Sequence, residues 1–576
     1  MTSVAAPADR VRLANQRQQA LALSRHRLML CLLLFLGLTL LIGARLVWLT
    51  VLGDRSATAG LADSTLPTRA DIVDRNGVVL AQTFDAWSIG VHPNKLLGNR
   101  REVAEQLARI FPGRSVADFY ALLDPHRAFA YIKRRALPEV ASAVNAIGEP
   151  AIVLEREPER LYPQTALASH VLGWTNIDGV GVTGMERVLD KRLTDPALRG
   201  QPVALSIDSR VQAAMESELN AAIVHFQAVG GSGLVLDVHT GELLALASLP
   251  SFNPNAPGEA TPGARFNRAT LGVYELGSTF KPVTLAMGLE SGIIKSLGQR
   301  YDATKPLEVG KFKIHDDHPQ GRWLTVPEIL IYSSNIGTAR IADAIGEQRE
   351  KIMFHRLGFD RPVDIELHEK GRPLWPSYWG RTTTMTVGYG HGIAVTPLHL
   401  ASAYAALVNG GVWHPATLLK RSGDAPVPGR RVVSEATSAT IRQLLRLVVL
   451  DGTGRRADVP GYRIGGKTGT AEKAERGGYA HHSLVTTFAG VFPIDNPRYV
   501  VIAMLDEPKG TSDTYGLATA AWNAAPVVSH VIARVGPMLG VYPDEHKDID
   551  VSNLTPLLWK APGTKVAGAD PHAEAQ

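Results

Sequence analysis

Glu275-Leu-Gly-Ser278-Thr-Phe-Lys281-Pro282-Val283-Thr-Leu-Ala-Met-Gly-Leu289 reads as a turn feeding the start of an apolar helix. Pro282 fits the first turn, where a backbone N–H has no intrahelical partner to lose. Positions i and i+3 share a helix face, so Lys281 lies one turn from Ser278. A serine hydroxyl is a poor nucleophile at its own pKa and needs an adjacent base. Lys281 serves only after losing its proton near neutral pH, which burial and a second cation both favour, Lys467 being the candidate. A nucleophile at a helix N-terminus also meets the positive end of the helix dipole, which favours a developing oxyanion.

Two further stretches extend this chemistry. Ile329-Leu-Ile-Tyr-Ser333-Ser-Asn335-Ile-Gly337 turns from apolar to small and polar. Ser333 can relay a proton to a leaving amine, and Asn335 can hold a substrate amide through both donor and acceptor. The same residues also suit a helix cap or turn. Tyr462-Arg-Ile-Gly-Gly-Lys467-Thr-Gly-Thr470-Ala471 reads as a strand whose glycines admit a ligand close to the backbone. Lys467, Thr468 and Thr470 then offer a cation and two hydroxyls to a carboxylate. Gly461 completes a bare phosphate-loop string with Gly466-Lys467-Thr468, but no apolar helix follows it.

In this order Ser278-x-x-Lys281, Ser333-x-Asn335 and Lys467-Thr-Gly469 resemble the signature set of penicillin-binding proteins. From about Thr68 to Pro543 the chain is similar to class B members, peptidoglycan D,D-transpeptidases. Matching segments include Asp71-Ile-Val-Asp74-Arg75-Asn76-Gly77, Arg160-Leu-Tyr162-Pro163, His170-Val-Leu-Gly173, Gly181-Val-Thr-Gly184-Met-Glu186 and Gly388-Tyr-Gly390-His-Gly392. Ala70 stands after Arg69 where the family usually has glycine. The segments Leu505-Asp-Glu-Pro-Lys509-Gly and Tyr515 to Pro526 look like the division-specific, FtsI type.

The resemblance implies Ser278, Lys281, Ser333, Asn335 and Lys467 as catalytic residues, and Thr468, Gly469 and Thr470 as substrate-binding residues. It implies N–H groups of Ser278 and Thr470 as oxyanion donors, and no metal or other cofactor. It implies peptidoglycan stem peptides as substrate, trapping by β-lactams, and septal wall synthesis in division. A wall-elongation role or a β-lactam-sensing or -hydrolysing protein are the alternatives. Partners implied are a polytopic membrane glycosyltransferase and other divisome proteins.

The fold class expected is α+β: one transmembrane helix, an elongated α/β pedestal, then a penicillin-binding serine-transpeptidase domain whose antiparallel sheet is flanked by helices. The expected divisions are a cytoplasmic tail (1–27), an anchor (28–52), a linker (53–66), a pedestal (67–228), a transpeptidase domain (229–545) and a C-terminal tail (546–576). Arg10, Arg12, Arg17, Arg25 and Arg27 against Asp9 precede the apolar run from Leu28 to Leu52, which is long enough to span a bilayer. That asymmetry puts the N-terminus in the cytoplasm and the rest beyond the membrane; the resemblance implies that this is a bacterial inner membrane and that the catalytic domain is periplasmic. Ala57-Thr-Ala59 resembles a signal cleavage site, but the run is longer than a signal core.

Cys31, in the apolar run, is the only cysteine, so an exported body relies on its core; 45% of the 576 residues are hydrophobic. The +5 net charge comes largely from the N-terminal segment, and with mixed charges and 6% aromatics no nucleic-acid surface is read. His481-His482 reads as an exposed loop pair and not a metal site. Asn76-Gly77 predicts a hairpin turn over 71–81, Glu155 to Arg160 a solvated edge, and 518–535 one helix beside a helix over 437–450. Residues 561–576 read as disordered.

Overall fold

Tyr499–Asp506 is the middle strand of a five-stranded sheet, and its wholly buried side chains divide by period two between two cores. Val500, Ile502 and Met504 point to one core, Tyr499, Val501, Ala503 and Leu505 to the other. The computed structural model describes residues 8–47, 68–310, 312–423, 426–475 and 478–559. The chain divides into two units, Met1–Leu66 and Pro67–Gln576. In the first, α1 (Ala8–Val47) contains Arg25–Arg45, long and apolar enough to cross a membrane by length and composition. The expected linker over 53–66 and disordered stretch over 561–576 lie outside the described residues.

The second unit begins with a mixed sheet of β1 (Ile72–Val73), β2 (Val79–Val91), β3 (Ala130–Ala136), β4 (Ile152–Leu161) and β5 (Val203–Ala204). β2 pairs antiparallel with β1, β3 and β4, and β1 runs parallel to β5. The hairpin at Asn76-Gly77 forms, with residues 74–78 between its strands in place of a two-residue turn; Gly77 N donates to Asp74 O at 3.1 Å, and Asp74 Oδ1 accepts from Asn76 N at 2.7 Å and Val78 N at 2.9 Å. The run from Glu155 to Arg160 is not simply a solvated edge. It lies in β4, and Arg160 at its end is buried because a fully buried carboxylate, Glu186, draws it inward. Arg160 Nε donates to Glu186 Oε1 at 2.8 Å and Arg69 Nε to Oε2 at 2.6 Å. Arg69 also bonds Asp190 at 2.7 Å, and Arg160 the carbonyl of Ala70 at 2.9 Å.

After α2 (Ser209–His225), strands β6 (Gly230–Asp237) and β7 (Leu243–Leu249) form a hairpin. Helices α3 (Lys281–Glu290), α4 (Asn335–Ile345), α5 (Pro397–Val408) and α6 (Glu435–Asp451) follow. The hairpin β8 (Gly465–Glu475) and β9 (Gly478–Phe492), then β10 (Tyr499–Asp506), complete the sheet in the order β8-β9-β10-β6-β7, every pair antiparallel. Helices α2 and α7 (Ala524–Val535) pack on one face, α3, α5 and α6 in the core on the other. Sheet and flanking helices agree with the α+β expectation. The backbone of His481 and His482 lies in β9, not in a loop, and their side chains are outside the described residues.

The helix expected over 518–535 starts only at Ala524. Ala520 N donates to Thr470 Oγ1 at 3.1 Å, and Asn523 Nδ2 to Ala518 O at 3.0 Å, which ties 518–523 to β8 in turns. Residues 546–559 pack on the same unit: Arg446 holds Asp548 at 2.6 Å, and Trp559 N donates to Glu328 Oε1 at 2.7 Å.

Glu186→Gln leaves two buried guanidinium groups without their shared anion. It is expected to lower unfolding stability by about 3–5 kcal/mol, read from the urea midpoint.

Candidate active site

Ser278 lies half-buried on a 3-10 turn, Gly277–Phe280, that runs directly into α3 with Pro282 in the first turn. The turn is pinned from beneath. Thr279 Oγ1 donates to Leu276 O, and the wholly buried Tyr404 hydroxyl of α5 donates to Thr279 O, both at 2.9 Å. Thr284 Oγ1 donates to Gly388 O at 2.6 Å. The turn packs against β8, an outer strand of the sheet. That approach requires glycine. Gly277 has φ +53°, and a Cβ there would sit 2.9 Å from Thr470 O. A Cβ on Gly469 would overlap Leu276 O, and one on Gly390, at φ +85°, would overlap Gly277 O.

The Ser333-Ser-Asn335 stretch is both a helix cap and a site element. Ser334 is the N-cap of α4, its Oγ accepting from Gly337 N at 3.0 Å. Ser333, just before it, takes the left-handed conformation at φ +57°, uncommon for a residue with a Cβ. Two lysines meet at its hydroxyl. Lys281 Nζ donates to Ser333 Oγ at 3.0 Å, to Asn335 Oδ1 at 2.8 Å and to the Ser333 carbonyl. Lys467 Nζ donates to the same Oγ at 3.0 Å, and to Thr468 O at 3.0 Å and Thr468 Oγ1 at 3.1 Å. Each ammonium therefore has three acceptors for its three protons.

Both lysines are fully buried, and burial is the main reason their pKa values fall. Lys281 is lowered to about 7, with Asp316 and Asp317 opposing the shift. Lys467 is lowered well below the ordinary lysine value by burial and then by the Lys281 charge, against Asp317. The arrangement supplies a nucleophile candidate beside an amine that is half deprotonated near neutral pH, with a hydroxyl connecting it to a second amine.

The structure thus gathers Lys281, Ser333, Asn335, Lys467 and Thr468 into one bonded cluster, and sets the Ser278 turn against Gly469 and Thr470 of the adjoining strand. Lys281's bonds go to Ser333 and Asn335, not to Ser278. The phosphate-loop string is excluded: Gly466 is paired with Gly490 in the β8–β9 ladder. Sequence reasoning passed over Thr453, whose Oγ1 lies 2.7 Å from Thr468 Oγ1, and His315, whose carbonyl accepts from Asn335 Nδ2 at 3.0 Å. It also passed over the His391–Glu275 pair at 3.1 Å. Thr453 lies in a small-residue stretch, Gly452-Thr453-Gly454, after α6, and Glu275 and His391 each lie in a stretch already singled out, though not as a pair. A cavity of about 340 Å³ elsewhere, lined by His225, Phe226, Trp522 and His530, includes none of the eight candidates.

Comparison with known proteins identifies the family. The penicillin binding protein transpeptidase domain family matches residues 231–529, and the penicillin-binding protein dimerisation domain family matches 64–197. The probable peptidoglycan D,D-transpeptidase FtsI of Caulobacter vibrioides is 39% identical over 518 residues, covering 88% of this chain and 87% of that protein. Peptidoglycan D,D-transpeptidase FtsI of Escherichia coli K12 is 30% identical, covering 92% of this chain and 94% of its own. Among solved structures, penicillin binding protein 3 of Mycobacterium tuberculosis, complexed with aztreonam, superposes with a TM-score of 0.64 at 26% identity. That match covers 83% of this chain and 98% of the other.

The glycine contacts yield an ordering. Gly390→Ala and Gly469→Ala are expected to lose about 1–3 kcal/mol in denaturant unfolding through backbone overlap. Gly292→Ala, at φ +69° in open space, loses only left-handed strain of about 1 kcal/mol.

Proposed function

The chain belongs to the penicillin-binding protein family as a class B member of FtsI type, and from that premise we propose how its residues carry out peptidoglycan D,D-transpeptidation in cell division. The observation that supports the reading most is the hydroxyl of Ser333 held 3.0 Å from both Lys281 and Lys467 beside the Ser278 turn. In this reading Ser278 Oγ attacks the penultimate D-Ala carbonyl of a stem peptide, and its proton passes to neutral Lys281. The N–H groups of Ser278 and Thr470 hold the oxyanion. Collapse breaks the peptide bond; the departing D-Ala nitrogen takes a proton from the lysine pair through Ser333 Oγ, leaving a serine ester. An amine of a neighbouring stem then attacks the ester. Its proton returns through the same groups to Ser278, and the new amide is the cross-link.

Asn335 orients the substrate amide in this scheme, and Lys467, Thr468 and Thr470 take its terminal carboxylate, with Gly469 leaving room along the strand. β-Lactams present a strained amide to the same serine. Residues 67–228 as pedestal and 229–545 as catalytic domain belong to the same reading, supported by the two family matches. So does the topology: α1 as a single anchor, its N-terminus cytoplasmic because of the preceding arginines, and the catalytic domain periplasmic. Strand polymerisation then falls to a polytopic glycosyltransferase partner within the divisome, and the purified chain is expected not to extend lipid-linked disaccharide.

Fluorescent penicillin offered to the full chain in detergent tests the reading. A long-lived adduct on Ser278 by mass spectrometry, absent from Ser278→Ala, is the expected result. Rapid turnover of the adduct instead indicates a hydrolase, and no adduct refutes the catalytic reading. Because Lys281 acts as the neutral amine, acylation should rise with pH through about 7 and fall about tenfold per pH unit well below it.

A further inference from the structure

The loop before the Trp323–Thr325 strand carries a buried carboxylate that the signature set does not include. Asp316 is 8% exposed, and its two oxygens are divided across the start of α4. Oδ2 accepts from Ser334 Oγ at 2.8 Å, and Oδ1 accepts from Ile336 N at 2.9 Å. Both neighbours of Asn335 are thereby tied to one side chain, while the amide of Asn335 itself is tied to the adjoining His315 carbonyl at 3.0 Å. Ser333, immediately before these anchors, is in the left-handed region, a conformation that persists only where its surroundings enforce it.

The same carboxylate bears on the charge of the site. The charged groups facing the Ser333 hydroxyl and its two amines are Lys281 from α3, Lys467 from β8, and Asp316 and Asp317 from this loop. Asp317 is exposed and therefore screened by solvent, whereas Asp316 is buried. One buried carboxylate and two buried amines are together neutral when one amine is protonated and the other free. That is the charge state in which one lysine accepts the proton of Ser278 while the other retains one to donate.

We propose that Asp316 is a positioning residue of the acyl-transfer site, fixing the Ser333–Asn335 turn through Ser334 and Ile336 and supplying buried negative charge that acts on Lys281. The inference rests on the transpeptidase reading. Asp316 bonds Ser334 and Ile336 and not Ser278; it acts through the turn and through Lys281.

The test is the second-order rate of acylation by fluorescent penicillin, measured on the full chain in detergent from pH 5 to 9, for wild type, Asp316→Asn and Asp316→Glu. Asp316→Asn keeps an acceptor for Ile336 N but loses the charge. Its plateau rate is expected to fall about tenfold or more, and the acid midpoint to move down by roughly half a pH unit or more. Asp316→Glu keeps the charge but displaces it, so a lowered plateau with a nearly unmoved midpoint is expected. Wild-type rates in Asp316→Asn overturn the proposal. So does a lowered plateau with an unmoved midpoint in that variant, which is what a merely structural role produces. If Asp316→Asn shows no melting transition, Asp316→Ser is read by the same two criteria: a lowered plateau with the midpoint moved down supports the proposal, and wild-type rates or an unmoved midpoint overturn it. Failure of the wild type itself to be labelled refutes the transpeptidase reading, not this one.

Discussion

Two fully buried lysines donating to one hydroxyl, Ser333 Oγ, set the terms for the rest of the catalytic half of this molecule. Removing two ammonium groups from water is costly unless each finds acceptors and one of them sheds its proton. The fold meets both demands. α3 supplies one lysine and β8 the other, while the turn before α4 supplies a carbonyl, a hydroxyl and an amide oxygen at the point where they converge. Displacement of any of these three elements would break a bond to a buried charge, so they are mutually constrained.

That constraint explains the distribution of glycine around the site. The serine's tight turn lies against β8, where a Cβ at 277 or 469 would force turn and strand apart, and a Cβ at 390 would overlap the Gly277 carbonyl. It also accounts for the turns at 518–523. The Ala520 N–H binds Thr470 and the Asn523 side chain binds the Ala518 carbonyl instead of the segment extending α7, which keeps it against β8. In the N-terminal part of the same unit, Glu186 has a comparable role at a different scale. Its carboxylate joins Arg69, from the segment before β1, to Arg160 at the end of β4, fixing how those elements meet. Buried ion pairs of this kind contribute little net stability over an apolar core, but they are specific about which groups meet.

Much of this was legible in the chain. Ser278 and Lys281 at helical spacing, the apolar runs of β6, β7 and β10, and the Asn76-Gly77 turn are local signals, and each forms where its pattern places it. Period-two alternation was not needed to find β10, since a strand buried on both faces reads as one apolar run. Illegible parts had non-local causes. Arg160 sits in a charge run that suggests solvent, and only its buried partner 26 residues along the chain draws it inward. Ala518 to Asn523 have helix-forming composition, but a threonine side chain 50 residues away captures one of their N–H groups. Asp316 had no local signal, because its place in the site lies in what it touches.

The sequence by itself determined the chemistry available: a serine, two lysines, an amide and a run of small hydroxyls, in an order that resembles one family, behind an apolar segment long enough for a bilayer. It also determined the α+β composition, because hydrophobic period and turn residues are written locally. Which of the two lysines touches what, that both are dry, and that one hydroxyl joins them were decided only by tertiary structure. Positions 281, 333 and 467 are brought together by the packing of helices on a sheet, and burial, the cause of the lysines' lowered pKa values, is a property of the assembled fold and of no single residue.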